Sequence, residues 1–192
     1  LEKVKRTAII DSVIQVVAEH GFHGASMAMI SGRAGVATGT IYRYFESKEV
    51  LITDAHSELE NRICKALLQN YKSKDPILQR YIHLGRGLLS YFIDHPLHFR
   101  YLEQFRNSPY GVALRTGATL ESMRAFDIFR KLFEEGVSKR VMKDIPVRLL
   151  FAVAVGPLFG AADEHILGFI NLDDTLIHQT VETCWNGIRS QA

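Results

Sequence analysis

The sequence predicts an all-α fold of about nine helices in two parts. Three observations predict it. Apolar residues recur at spacings of three and four along most of the chain, and no stretch alternates as a half-buried strand would. Capping residues, glycines and prolines punctuate those periodic stretches. A polar interruption, Tyr71-Lys72-Ser73-Lys74-Asp75-Pro76, separates an N-terminal part (1–50, with a connecting helix over about 48–71) from a C-terminal part (75–192). There is no internal repeat.

The first helix is expected over residues 5–20, where Ile10, Ile14 and Val17, flanked by Ile9 and Val13, form a wide apolar stripe. Gly21 supplies the left-handed residue that closes it, and Phe22 stands where a hydrophobic C-cap contact is usual. Ser26 suits the N-cap of a second helix over 27–34. Gly35 then makes a sharp turn and Val36 plugs the corner before a third helix of about two turns. A glycine turn alone would fit any small helical hairpin. The third helix is more telling. Ile41 and Phe45, four apart, share one face and anchor it. Thr38, Gly39, Thr40, Tyr42, Arg43 and Tyr44 are left to project outward, and nearly all carry hydrogen-bond donors. Such a surface suits a polyanion whose phosphates accept O–H and N–H bonds. Ser47 caps the fourth helix, whose stripe is Leu51, Ala55, Leu59, Ile63 and Leu67. Glu49 favours that helix start, whereas Lys48 does not, and a phosphate bound there would engage both the lysine and the unpaired N–H groups.

In the C-terminal part, Asp75 as N-cap and Pro76 at the first helical position open a helix that runs to about 93. His95-Pro96 ends it and opens another over 96–106; Asn107-Ser108-Pro109-Tyr110-Gly111 reads as a loop. Further helices are expected over 120–138, from Pro146 to about 167, and from Asp173 or Asp174 to about 190. Gly156-Pro157 removes a backbone hydrogen bond and should kink the eighth helix. The aromatic load is high for a core built only for stability. Tyr81, Leu88, Phe92, Tyr101, Phe105, Phe126, Phe129 and Phe133 are the candidate lining of a small-molecule pocket, although any one of them could simply fill the interior. Helices eight and nine carry small residues and an apolar stripe too wide for one neighbour. Ala152, Val155, Gly156, Phe159, Gly160, Ile177, Val181, Cys184, Trp185 and Ile188 are therefore the candidate interface with a second copy.

Composition narrows the classes. At 47% hydrophobic and 23% charged the chain can bury a core, and a net charge of +2 provides no general attraction for nucleic acid. The two cysteines, Cys64 and Cys184, lack a CxxC partner and read as buried free thiols. No N-terminal apolar targeting segment and no apolar run long enough to span a bilayer stands out, so a cytoplasmic protein without a membrane partner is expected. His83, His95, His98, His165 and His178 form no i,i+4 pair and no catalytic motif; no metal, no cofactor and no enzymatic activity are expected.

Residues 6–51 resemble the DNA-binding domain of the TetR (tetracycline repressor) family. The resemblance lies in Ala18-Glu19-His20-Gly21-Phe22, Ser26, Ile30, Ala34-Gly35-Val36, Gly39-Thr40-Ile41-Tyr42-Arg43-Tyr44-Phe45 and Ser47-Lys48-Glu49. It implies an N-terminal helix-turn-helix domain followed by a helical effector-binding and dimerisation domain. It also implies a ligand-responsive regulator, a homodimeric repressor released from a palindromic DNA operator by a small, largely apolar effector. On this reading Arg43 faces a base edge, as a guanidinium suits guanine, and Thr38 and Gly39 lie close to bases. Thr40, Tyr42, Tyr44, Lys48 and Ser26 position phosphates. The chain departs from the family at Ser31-Gly32, where better helix formers are common, and at Ala37, where Ser or Thr often caps; Thr38 is the expected substitute cap. Rival readings are a helical protein-binding adaptor, a ligand-binding protein without a transcriptional role, and an enzyme acting on an aromatic or acyl substrate.

Overall fold

A computed structural model describes residues 2–117 and 124–190, with side chains described at 2–113 and 127–190. The helices are α1 (Glu2–Gly24), α2 (Met27–Ala34), α3 (Thr38–Tyr44), α4 (Lys48–Leu67), α5 (Ile77–Asp94), α6 (Pro96–Asn107), α7 (Pro109–Gly117), α8 (Arg124–Ser138), α9 (Val147–Ala154), α10 (Gly156–Ile166) and α11 (Asp174–Ile188). Among the described residues the one β feature is an isolated bridge, Met142 to Arg189, so the all-α expectation holds.

Two differences account for the extra helices. Ser108-Pro109 opens α7 instead of a loop. The Ser108 hydroxyl accepts from Gly111 N–H at 3.1 Å, and proline at the first helical position has no N–H to leave unpaired. The expected eighth helix divides at Val155 into α9 and α10, directly before the Gly156-Pro157 pair anticipated to kink it. Elsewhere the punctuation acts as expected. Gly21 takes φ 69° and interrupts α1, Ser26 and Asp173 cap α2 and α11, and Pro96 starts α6. Pro76 falls just before α5 rather than in it, with Asp75 N–H closing a turn onto Lys72.

The chain forms two compact units, Leu1–Asn61 with His95–Ser122, and Arg62–Asp94 with Met123–Ala192. In the first, α1 packs on α2 and α6, and α2 on α3. Ile9, Ile10, Val13, Ile14 and Val17 are buried there with Ile30, Ile41 and Phe45. Phe22 packs with α6 and α7 through Tyr101, Phe105 and Tyr110 at 5.6–6.1 Å between ring centres. In the second, α5 packs on α8, α10 and α11, and α9 on α8, α10 and α11.

The second unit corrects much of the expected dimer face. Val155, Ile177, Val181, Cys184, Trp185 and Ile188 are buried in the unit's own core. Trp185 lies 5.5 Å from the Tyr81 ring, and Val181 sits on Gly85 of α5. The stripe on α11 is wide because it meets α5 as well as α9, not because it awaits a partner. Of the expected residues, Ala152 and Gly160 are exposed and Gly156 and Phe159 half-buried. Burial raises the Cys184 thiol pKa above its ordinary value, which makes it an inert thiol; Cys64 is half-buried rather than buried. Val147–Ile166 is, by length and composition, long and apolar enough to cross a membrane, against the expectation that no such run exists.

Candidate nucleic-acid interface

The reading head is built by burying one side chain of a seven-residue helix and that of the residue that caps its C-terminus. Ile41 and Phe45 are sealed in the first unit, and the Arg6 guanidinium lies 5.2 Å over the Phe45 ring while pairing with Asp54 at 2.6 Å. Gly35, at φ 64°, closes α2 and sends its N–H to Gly32 O; a residue with a Cβ is strained in that conformation. With α3 held by that turn and that face, Tyr42 stays 51% exposed and Arg43, Gly39 and Ser26 are exposed. Thr38, Thr40, Tyr44 and Lys48 are half-buried. All eight expected contact residues thus belong to the N-cap of α2, to α3 or to the start of α4, within one unit.

Three of the eight have work inside the protein as well. The Ser26 hydroxyl accepts from Met29 N–H at 3.2 Å as the cap of α2. Lys48 Nζ donates to Ala25 O, which leaves two of its three protons for another acceptor. Thr38 does not cap α3. Ala37 is the N-cap and makes no side-chain bond, while Thr38 Oγ1 lies 3.0 Å from Ser31 Oγ. Ser31, read as a poor helix former, is therefore a link between α2 and α3. No residue-type rule identifies it; only the fold brings positions 31 and 38 together.

Sequence reasoning also passed over His56. It is buried in the first unit, stacked 3.7 Å from the Phe105 ring at 6°, with Nε2 3.4 Å from Glu60 Oε1. His178 makes a similar i,i+4 contact with Glu182 at 3.3 Å, so an i,i+4 partner exists where none was read. His95 and His98 stack at 5.1 Å across the α5–α6 break. Among the described residues no three His, Cys, Asp or Glu converge on a metal site.

The expected pocket lining is divided. Tyr101 and Phe105 belong to the first unit, where the Tyr101 hydroxyl donates to Ile52 O at 3.2 Å. Tyr81, Leu88, Phe92, Phe129 and Phe133 belong to the second and are buried there; Phe129 and Phe133 pack on each other and on Phe151 at about 6 Å. The Tyr81 hydroxyl donates to Ala154 O at 2.7 Å. Burial holds both tyrosines far above the ordinary phenol pKa, so both stay neutral donors. The Phe126 side chain lies outside the described residues. None of the expected set lines the open cleft of about 620 Å³ in the second unit, whose walls include Gln69, Asn70, His83, Arg86, His178 and Glu182.

A short helix anchored from behind, displayed after a glycine turn and presenting an exposed tyrosine and arginine, defines a helix-turn-helix DNA-binding protein with a second helical unit. The chain belongs to the TetR family: residues 9–55 match the description "Bacterial regulatory proteins, tetR family" and residues 76–189 match "Tetracyclin repressor-like, C-terminal domain". It is a ligand-responsive DNA-binding transcription regulator. It is similar to the fatty acid metabolism regulator protein of Bacillus subtilis (strain 168), 25% identical over 99% of this chain and 98% of the relative. A TetR family transcription regulator from Marinobacter aquaeolei VT8 has the same fold at a TM-score of 0.86, with 22% identity over 98% of this chain and 97% of that one. The FadR regulator of Bacillus subtilis in complex with stearoyl-CoA aligns at a TM-score of 0.78, with 22% identity over 95% and 98%.

Proposed function

We propose that the protein is a cytoplasmic homodimeric repressor that occupies a palindromic operator until an effector carrying a long acyl chain releases it. The observation that carries the DNA half is the exposure of Tyr42 and Arg43 on a helix whose Ile41, with the Phe45 that caps it, is fully committed to the core. Arg43 reads a base edge, as a guanidinium can engage guanine O6 and N7 together. Tyr42, Thr40, Tyr44, Lys48 and Ser26 hold the phosphates and set the register.

A second copy supplies the other half-site. The surface available for it runs along the outer side of α9 and α10, where Leu149 (51% exposed), Ala152, Val153 (41% exposed, its Cγ1 also against Gly187 of α11), Gly156 and Gly160 lie. Leu176, Thr180, Thr183 and Gly187 form the matching face of α11. The small residues among them let helices approach closely, and a two-fold pairing would cover both faces at once.

Similarity supports the effector class. A relative that aligns end to end is named for fatty acid metabolism, and a structural neighbour was solved with stearoyl-CoA. The aromatic and leucine core of the second unit, Tyr81, Leu88, Phe92, Phe129 and Phe133, offers the apolar surroundings an acyl chain requires. α4 runs through both units, so a ligand that favours one placement of its C-terminal half changes the spacing of the reading heads. Ligand release of DNA requires that difference in affinity between two states.

Selection of bound DNA from a random pool tests the reading. An inverted repeat with half-site centres about 35 Å apart is the expected product. Stearoyl-CoA added to that complex in a gel-shift titration should release the DNA. A selected site without two-fold symmetry would refute the dimer, and an unchanged shift would refute the acyl effector.

A further inference from the structure

We propose that the Arg80–Glu135 ion pair is a latch across the seam between α5 and α8, and that it sets how readily the effector enters. The inference rests on the reading that an acyl effector occupies the core of the second unit, and it names the contact that resists entry. Arg80 lies on α5 and Glu135 on α8, 55 positions apart, and Arg80 Nη1 donates to Glu135 Oε2 at 2.7 Å. Neighbouring residues of the same two helices form the inner side of the seam. The Tyr81 and Phe133 rings meet there at 6.4 Å between centres, and Tyr81, Phe129, Leu132 and Phe133 are fully buried. The ion pair, with Arg80 11% and Glu135 31% exposed, closes the outer edge.

Both partners are held in place before they meet. Arg80 Nε donates to the Tyr71 hydroxyl at 2.8 Å, and its Cζ lies 5.8 Å from the centre of the Tyr71 ring. A planar guanidinium fixed at Nε has its other N–H groups aimed in set directions, so little side-chain freedom is lost in reaching Glu135. Lys139 Nζ, 2.7 Å from Glu135 Oε1, fixes the carboxylate likewise. That ordering distinguishes the pair from an ordinary surface ion pair, whose gain is offset by the entropy of holding two loose side chains. Interiors are packed as densely as organic crystals, so an acyl chain entering among Tyr81, Phe129 and Phe133 must part the helices that carry them. Parting α5 from α8 stretches the Arg80–Glu135 bond beyond hydrogen-bonding length. The closed state therefore has a charge-assisted bond that the open state lacks. Effector affinity is lowered in proportion to how rarely the open state is populated.

The test uses the full-length protein and stearoyl-CoA, with affinity measured by isothermal titration calorimetry. Arg80→Met keeps the stem and removes the guanidinium, leaving Glu135 paired with Lys139. It should bind stearoyl-CoA about fivefold more tightly than the parent, the factor a well-ordered, partly solvated pair contributes. Glu135→Gln, a change of charge without change of shape at a partly solvated position, should shift affinity in the same direction. The double variant should bind no more tightly than Arg80→Met alone, since both substitutions remove one interaction. Hydrogen exchange without ligand gives an independent reading: the α8 amides should exchange faster in both single variants, and those of α11 should not. Unchanged or weaker stearoyl-CoA binding in both single variants, additive effects in the double variant, or α8 protection equal to the parent's would each overturn the latch. A parent that does not bind stearoyl-CoA sinks the acyl reading instead, and hydrogen exchange still decides whether the pair holds α5 to α8.

Discussion

Val181 of α11 rests on Gly85 of α5: a Cβ placed on Gly85 would lie 2.6 Å from Val181 Cγ1. That approach is closer than real Cβ contacts, so the two helices pack at a distance only glycine permits. It draws the apolar stripe of α11 into its own unit. It leaves the outer faces of α9–α10 and α11, rather than that stripe, exposed.

Gly85→Ala is therefore expected to destabilise the protein by about 1–3 kcal/mol, the usual cost of overpacking a core. Urea unfolding followed by Trp185 fluorescence measures it, since Trp185 lies one turn from Val181 on the same buried face. Gly32→Ala is the contrast. A Cβ at Gly32 meets nothing within 4 Å. Replacing a helical glycine there should stabilise by about 1 kcal/mol.

Arg43→Ala should leave stability within about 0.5 kcal/mol, as Arg43 is an exposed surface residue. Its effect falls on DNA: a loss of roughly 1–3 kcal/mol and relaxed preference at one position of each half-site. Tyr42→Phe, which removes one phosphate donor, should weaken binding to all sequences alike. Binding measured against a panel of single-base operator variants separates the two patterns.

A charge in the face assigned to the second copy should abolish pairing. Leu149→Glu with Val153→Glu is expected to give a monomer by light scattering, with the circular dichroism of the parent. Operator binding should fall steeply, because one reading head lacks the second half-site. A dimer of unchanged size would place the interface elsewhere.

Acid should loosen the second unit through Glu135. Lys139 and Arg80 hydrogen-bond its carboxylate and hold its pKa below the ordinary glutamate value. A carboxylate whose pKa is lowered on folding contributes stability above its unfolded pKa of roughly 4.3, and that contribution is lost as pH falls through the folded value. Glu135→Gln should cost about 1 kcal/mol at pH 7, a modest figure because the pair is partly solvated. Thermal unfolding should show the variant and parent converging below about pH 4.

The reading head was legible because its signals are local. Ile41 and Phe45 are four apart, Gly35 must take a positive φ, and Ser26 and Ser47 stand one residue before their helices; each is decided within one or two turns of chain. The loop read at Ser108-Pro109 shows the limit of such signals, since the same pair also suits a helix start. His56 and Phe105 are 49 positions apart and carry no mark that they stack.

Periodicity determined that the chain is helical, where most helices begin and end, and that α3 turns its polar side outward. Which apolar stripes meet each other was decided only in three dimensions. A stripe records that a face must be covered, but not by what. Val181 and Leu149 look alike in sequence, yet one is buried at Gly85 and the other exposed, because burial depends on the shape of a neighbour distant along the chain. The hydrogen bond between Thr38 and Ser31 has the same origin, a proximity created by the turn at Gly35.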